Sequence, residues 1–307
     1  MVVQAVIADG QTLGRGLQYD VEGAYVALAA AATRQLVYLE SNCELERANQ
    51  IVQARVKAGA APNYDATRIA VALAQSQAAL GDAEAAMLES RGDLDVAIGP
   101  EATALAGLPA LDLYDIPSAS TLESWLQTVQ KERPDVRAAQ NRAKAAEAQV
   151  AVARKAVQPG FGLRGGVAYG NTQNQEFDIV VGINLPLPIN DRGQGTIVAA
   201  LARAESANFA VDAIALQAVQ RVRSAYNEFV RRRLAHADYH ERGVFKSLGM
   251  VTEAEAGYRA GKLSVLELVD AYVAKRDSRL RAVDLAASAH LAEVKLRRAA
   301  FAGPTGH

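Results

Sequence analysis

The chain has 307 residues, half of them hydrophobic and only 6% aromatic, so it can bury a large core built mainly from Ala, Leu and Val. With 33 basic and 34 acidic residues its formal net charge is −1, and nothing in that balance calls for nucleic acid or an anionic membrane surface. The single cysteine, Cys43, excludes an internal disulfide.

The opening MVVQAVIADG has no basic n-region, and its apolar stretch is too short for a secretory signal or a membrane helix. An export signal is therefore expected to be absent from this sequence. A first helix is predicted from near Gln18 to Ala58, about 40 residues long. Cys43 lies within it and reads as a small buried apolar side chain. Val56-Lys57-Ala58-Gly59 ends this helix, because Ala-Gly supplies a residue that accepts the left-handed conformation. Pro62 marks the turn into a second helix. After a Pro- and Leu-containing linker from Pro100 to Ser118, Ser120 and Glu123 have the spacing of a capping box, and RPDVRAAQ opens a helix at Pro134.

Between Pro159 and Pro188 the pattern changes to period two. Phe161, Leu163, Gly165, Val167 and Tyr169 alternate with Gly, small or charged residues, and so do Phe177, Ile179, Val181, Ile183 and Leu185. Each run is about nine residues, the length a tilted strand needs to cross a bilayer, with a polar turn from Asn171 to Gln175. A hairpin packed on a helix layer would alternate in the same way. A lone hairpin in a helical chain is unstable unless it pairs with copies in other subunits, and a closed oligomeric barrel would remove its edges.

A helix of roughly 65 residues, on the order of 100 Å, is predicted from Gly195 to Ala260. Arg231-Arg232-Arg233 on it reads as a solvated face rather than a phosphate patch, having no interleaved aromatics. His236 and His240 have the spacing of a helical metal pair, with Asp238 between them, but the sequence suggests no third ligand. A metal-binding periplasmic chaperone is thus a remote alternative. His290 reads as packing or surface. Tyr258-Arg259-Ala260-Gly261 forms a second turn, and Ser264 with Glu267 makes a capping box that starts the last helix. On that helix Leu266, Val269, Val273, Leu280 and Val283 fall on a coiled-coil stripe.

The two turns belong to an internal duplication. Gly59 to Asp65 aligns without a gap onto Gly261 to Glu267, within blocks running from Ala24-Tyr25 to Gly99-Pro100 and from Ala225-Tyr226 to Gly303-Pro304. The expected division is residues 1–99 as a first-repeat helical hairpin, 100–133 as a linker with a short helix, and 134–307 as the second repeat. No catalytic constellation emerges. GLRGGVAYG sits in a strand pattern and precedes no helix, which argues against a nucleotide loop; neither an enzyme nor a bound cofactor is expected.

The duplicated Ala-Gly turns, the RPDVRAAQ helix opening, the hairpin and the INLPLPINDRGQG exit from Ile183 to Gly195 together resemble the TolC-type outer-membrane efflux factors, closest to the branch serving heavy-metal exporters of the cobalt-zinc-cadmium kind. The resemblance implies a mainly α protomer of long antiparallel helical hairpins carrying transmembrane strands. It implies a homotrimer in the outer membrane, extending into the periplasm and working with a periplasmic adaptor and an inner-membrane pump of the resistance-nodulation-division class. It places Glu267 and Asp270, with Asp65 as the repeat counterpart of Glu267, at a periplasmic constriction. Gly59, Pro62, Gly261, Lys262 and Ser264 become adaptor-contacting tips, although they read equally as structural turns, and Glu267 equally as a simple cap. The odd row from Phe161 to Leu185 becomes lipid-facing. A family protomer supplies four strands, and one hairpin from each of three chains would give six, fewer than the smallest usual membrane barrel, so an amino-terminally truncated copy is expected. The rival reading is a non-membrane coiled-coil scaffold or adaptor-like interaction protein.

Overall fold

The computed structural model describes residues 2–99, 112–118, 120–157, 160–172, 174–184 and 193–301. In chain order the elements are α1 (Val2–Lys57), α2 (Asn63–Ile98), α3 (Leu122–Glu132), α4 (Pro134–Ala156), β1 (Gly162–Thr172), β2 (Asn174–Asn184), α5 (Gln194–Tyr239), a π-helical turn (His240–Val244), α6 (Phe245–Arg259) and α7 (Val265–Ala300). Contacts divide the chain into two units, residues 1–12 with 133–217 and residues 13–132 with 218–307.

The first unit holds the hairpin. β1 and β2 pair antiparallel with Leu163 opposite Ile183, Gly165 opposite Val181, Val167 opposite Ile179 and Tyr169 opposite Phe177. The apolar alternation of both runs therefore falls on one face, because side chains alternate with period two. The strands run closer to the turn than expected, with Thr172 opposite Asn174. α4 starts at Pro134, whose missing N–H is no loss at the first helical position. Asn208 of α5 donates to the Glu147 carboxylate of α4 at 3.2 Å. Gly193, at φ 65°, is required where α5 begins, since a Cβ there would lie 2.6 Å from Val157 Cγ2.

In the second unit the duplication keeps its register around the turns. There the matched positions are offset by 202 residues, 59 to 261, 62 to 264 and 65 to 267, whereas the block starts Ala24 and Ala225 are 201 apart. Gly59 donates to the Val56 carbonyl as Gly261 does to Tyr258, each at 3.0 Å, and Ala60 donates to Arg55 as Lys262 does to Gly257. Gly59 and Gly261 sit at φ 69° and 72°, the left-handed C-terminal position. The offset also predicts the far ends of α2 and α7, each 36 residues long. They are capped by Gly99 at φ 89° and Phe301 at φ 59°, so the structural counterpart of Gly99 is Phe301 rather than Gly303. Gly303 and Pro304 lie outside the described residues, as does Pro100.

α1 and α7 run antiparallel. Asp20–Arg298, Glu22–Arg297 and Arg34–Asp284 pair at 2.7 Å, followed by Glu40–Arg279 and then Glu44–Lys275 at 2.5 Å, stepping in opposite directions along the two helices. The exposed pairs Asp20–Arg298 and Arg34–Asp284 contribute little energy and serve to fix register, whereas Glu22–Arg297 and Glu44–Lys275 are largely buried, so that each charge depends on its partner. Beneath them one cluster joins Val26, Ala30 and Val37 to Val283, Ala286 and Ala287. A second joins Leu45, Ala48 and Val52 of α1 to Ile69 and Ala72 of α2, to Val251, Ala254 and Tyr258 of α6, and to Leu268, Val269 and Tyr272 of α7. A third packs Val129 of α3 against Val222 and Phe229 of α5 and Leu296 of α7.

Several expectations are corrected. α1 begins at Val2, well before Gln18, because a chain through Gly10, Gly14 and Gly16 stays helical despite about 1 kcal/mol lost per glycine. The helix read as continuous from Gly195 to Ala260 contains the π-helical turn, where Gly243 lies under the Tyr239 ring. Cys43 is exposed, since α1 buries Ser41, Asn42 and Leu45 on its other side. Leu266 is likewise exposed, and Leu268 takes its place in the core. At α3 the cap is Thr121 rather than Ser120, for the Ser124 N–H donates to Thr121 Oγ1 at 3.4 Å.

Candidate functional sites

Two groups of residues carry the functional expectations. The first is the pair of helical turns. Gly59, Pro62, Gly261, Lys262 and Ser264 are all solvent-exposed. Ser264 and Glu267 form the expected capping box: the Glu267 N–H donates to Ser264 Oγ at 3.3 Å, and the Ser264 N–H donates to Glu267 Oε2 at 2.7 Å. That backbone hydrogen bond, together with one from the Ser264 hydroxyl, holds the Glu267 carboxyl below its usual range, so it stays charged. Asp270 is exposed one turn further along α7.

The structure also joins the two turns through contacts that the sequence does not show, one of them made by Arg55. The Tyr258 hydroxyl donates to Asp65 Oδ2 at 3.0 Å. The Arg55 guanidinium lies 4.7 Å over the Tyr258 ring and donates to the carbonyls of Tyr258 and Ala60, the latter at 3.0 Å. Asp65 is thus held to α6 rather than left as a free counterpart of Glu267. Burial pushes the Tyr258 phenol up to about 12, with the Asp65 carboxylate adding to the shift. The repeat register sets Arg55 against Gly257 and Val56 against Tyr258, so the side chains that make this link occur in only one of the two repeats. Beside the turns, Tyr272 donates to Glu255, and burial followed by that carboxylate raises its phenol pKa.

The second group is the hairpin face. Leu163, Val167, Ile179, Val181 and Ile183 are each at least 70% exposed, although such side chains are usually buried. Val180, on the opposite face, is 51% exposed. Phe161 is equally uncovered but precedes β1. Tyr169 and Phe177 are paired through the backbone, and their side chains lie outside the described residues, as does Leu185. β1 and β2 form a sheet of two strands only, so each has one edge without a strand partner among the described residues. No described helix is long and apolar enough to cross a membrane. Among the described residues, no three His, Cys, Asp or Glu side chains are placed together to hold a metal ion.

The profile of the outer membrane efflux protein family matches residues 125–300, from α3 through α7. The cobalt-zinc-cadmium resistance protein CzcC of Cupriavidus metallidurans is 26% identical over 235 residues, covering 76% of this chain and 56% of that protein. The nickel-cobalt-cadmium resistance protein NccC of Alcaligenes xylosoxydans xylosoxydans is 29% identical over 210 residues, covering 67% and 46%. The chain therefore spans about half the length of the curated relatives it matches. In fold it is similar to the outer-membrane channel OprN, with a TM-score of 0.81 at 21% identity over 98% of this chain and 69% of that one. The mainly helical fold with its strand hairpin superposes on that channel over nearly the whole of this chain, and the chain belongs to the outer membrane efflux protein family.

Proposed function

We propose that this chain is part of an outer-membrane channel protomer in a tripartite efflux system, passively exporting metal cations or small toxic molecules from the periplasm. The observation that carries this reading is the hairpin: Leu163, Val167, Ile179, Val181 and Ile183 make an apolar, uncovered face, and among the described residues the strand edges lack partners. Water penalises such a surface and lipid rewards it, provided that the edges close against strands of neighbouring copies. A homotrimer of the whole protomer, with further strands beside this hairpin, supplies those copies, with outer-membrane lipid against the row from Phe161 to Leu185.

In the same reading the helices surround a water-filled passage. A periplasmic adaptor meets the exposed turns at Gly59, Pro62, Gly261, Lys262 and Ser264, and an inner-membrane pump supplies the energy. Glu267 and Asp270, repeated around a threefold axis, form a cation-attracting ring, and Asp65 sets the position of the neighbouring turn. The names of the two metal-resistance relatives favour divalent transition metals as cargo.

Incorporation of the whole protein of which this chain is a part into planar lipid bilayers tests the proposal. Stepwise conductance with a cation preference is expected, and Asp270→Asn should reduce that preference without altering the fold, because Asp270 is exposed. A chain that stays monomeric and soluble without detergent, and leaves bilayers silent, would refute it.

A further inference from the structure

Three aromatic rings stand together in the second unit, away from the turns. Tyr114, in the segment before α3, stacks on His236 with centroids 6.0 Å apart and planes at 23°. His240 lies 5.9 Å from both Tyr114 and His236. His236 is only 7% exposed, and its Nε2 is buried without a hydrogen-bond partner. A buried ring nitrogen without a partner is destabilising, and unlike the buried Arg233 Nε of the same helix, which can only donate, an imidazole nitrogen can be satisfied by a cationic ligand. His240 is exposed, which leaves an entry path from solvent.

The geometry points to a two-histidine site for one divalent transition-metal cation, held by His236 and His240 and walled by Tyr114. With metal–nitrogen bonds of about 2.0–2.1 Å, a cation sits about 3.2 Å from each imidazole centre, so two rings that share it have centres about 5–6.4 Å apart. The observed 5.9 Å falls in that window. Neutral imidazole donors select zinc, nickel or copper over magnesium or calcium. Solvent completes the coordination, since among the described residues no third His, Cys, Asp or Glu is placed to join. His240 also begins the π-helical turn, an irregularity that often marks functional positions in helices.

This is a resident site distinct from exported cargo, and it stands or falls separately from the channel reading. The test is Cu(II) titration of the full chain in detergent, followed by electron paramagnetic resonance. One copper per chain with hyperfine coupling to two nitrogens is expected. His240→Ala, at an exposed position, should lower that signal at least tenfold, while Tyr114→Phe should keep the two-nitrogen pattern. No saturable copper in the wild type, or an unchanged spectrum in His240→Ala, would overturn the proposal.

Discussion

Ile179 is the sixth of the eleven residues of β2, and its partner Val167 is the sixth of β1, so a hairpin crossing a bilayer would hold this pair near the midplane. Replacing Ile179 by Arg sets a charge at the least tolerant depth of a lipid-facing surface, which costs about 2–4 kcal/mol per strand. Threefold repetition raises this to roughly 6–12 kcal/mol for an assembly, enough to abolish it. Val180 is the next residue in the same strand and lies on the other face, so Val180→Arg should cost only about 0–1 kcal/mol if that face looks into water. The measurement is the fraction of each variant recovered as oligomer in the outer-membrane fraction of cells that export it. A large loss for Ile179→Arg beside a small one for Val180→Arg is the expected outcome. Equal losses would mean that the faces are not distinguished by lipid, and no loss in either would mean that the hairpin never enters a membrane.

Tyr258→Phe removes a hydrogen bond to a carboxylate, about 1.5 kcal/mol at the low end because Asp65 is half-buried, and amide exchange at Gly59 and Gly261 should speed up about tenfold. The same phenol carries an alkaline limit. Its pKa is raised from 10.0 to about 12 in the fold, so its contribution is complete below pH 10 and is lost as pH rises through 12; wild type should lose part of its thermal stability across that window that Tyr258→Phe does not. Gly261→Ala forces a side chain into the left-handed region at about 1–2 kcal/mol, read as a fall in denaturant midpoint, whereas Gly249→Ala, in open space within α6, should be neutral or slightly stabilising. Ser264→Ala breaks the capping box and should increase amide exchange in the first turn of α7 while leaving that of α2 unchanged.

What the sequence made legible was whatever depends on backbone chemistry. Ala-Gly turns, the Ser264 and Glu267 box, Pro134 at a helix start and the two alternating runs each leave a local signature, and each is found in place. What it hid was rotational phase. In helices where Ala recurs on every side, no apolar stripe says which face is inward, so Cys43 and Leu266 were placed in a core that takes Leu45 and Leu268 instead. The cap of α3 was misplaced by one residue because Ser120 and Thr121 are chemically alike and either spacing fits. The Arg55 and Tyr258 contacts were invisible for a different reason, since they join residues 203 positions apart.

Those contacts arise because the duplication kept its backbone and let its side chains diverge. At equivalent positions Arg55 faces Gly257, Val56 faces Tyr258, Pro62 faces Ser264 and Asp65 faces Glu267, while the turn hydrogen bonds remain the same. Two identical turns could not form this link. Tyr258 needs an acceptor that Glu267 does not offer while its carboxylate is taken up by the Ser264 cap, and Gly257, the counterpart of Arg55, has no side chain with which to reach across. Asymmetry between the repeats therefore leaves Glu267 and Asp270 on the exposed side of α7 and commits Asp65 to holding the turns together, a division of labour that swapping Asp65 and Glu267 would abolish.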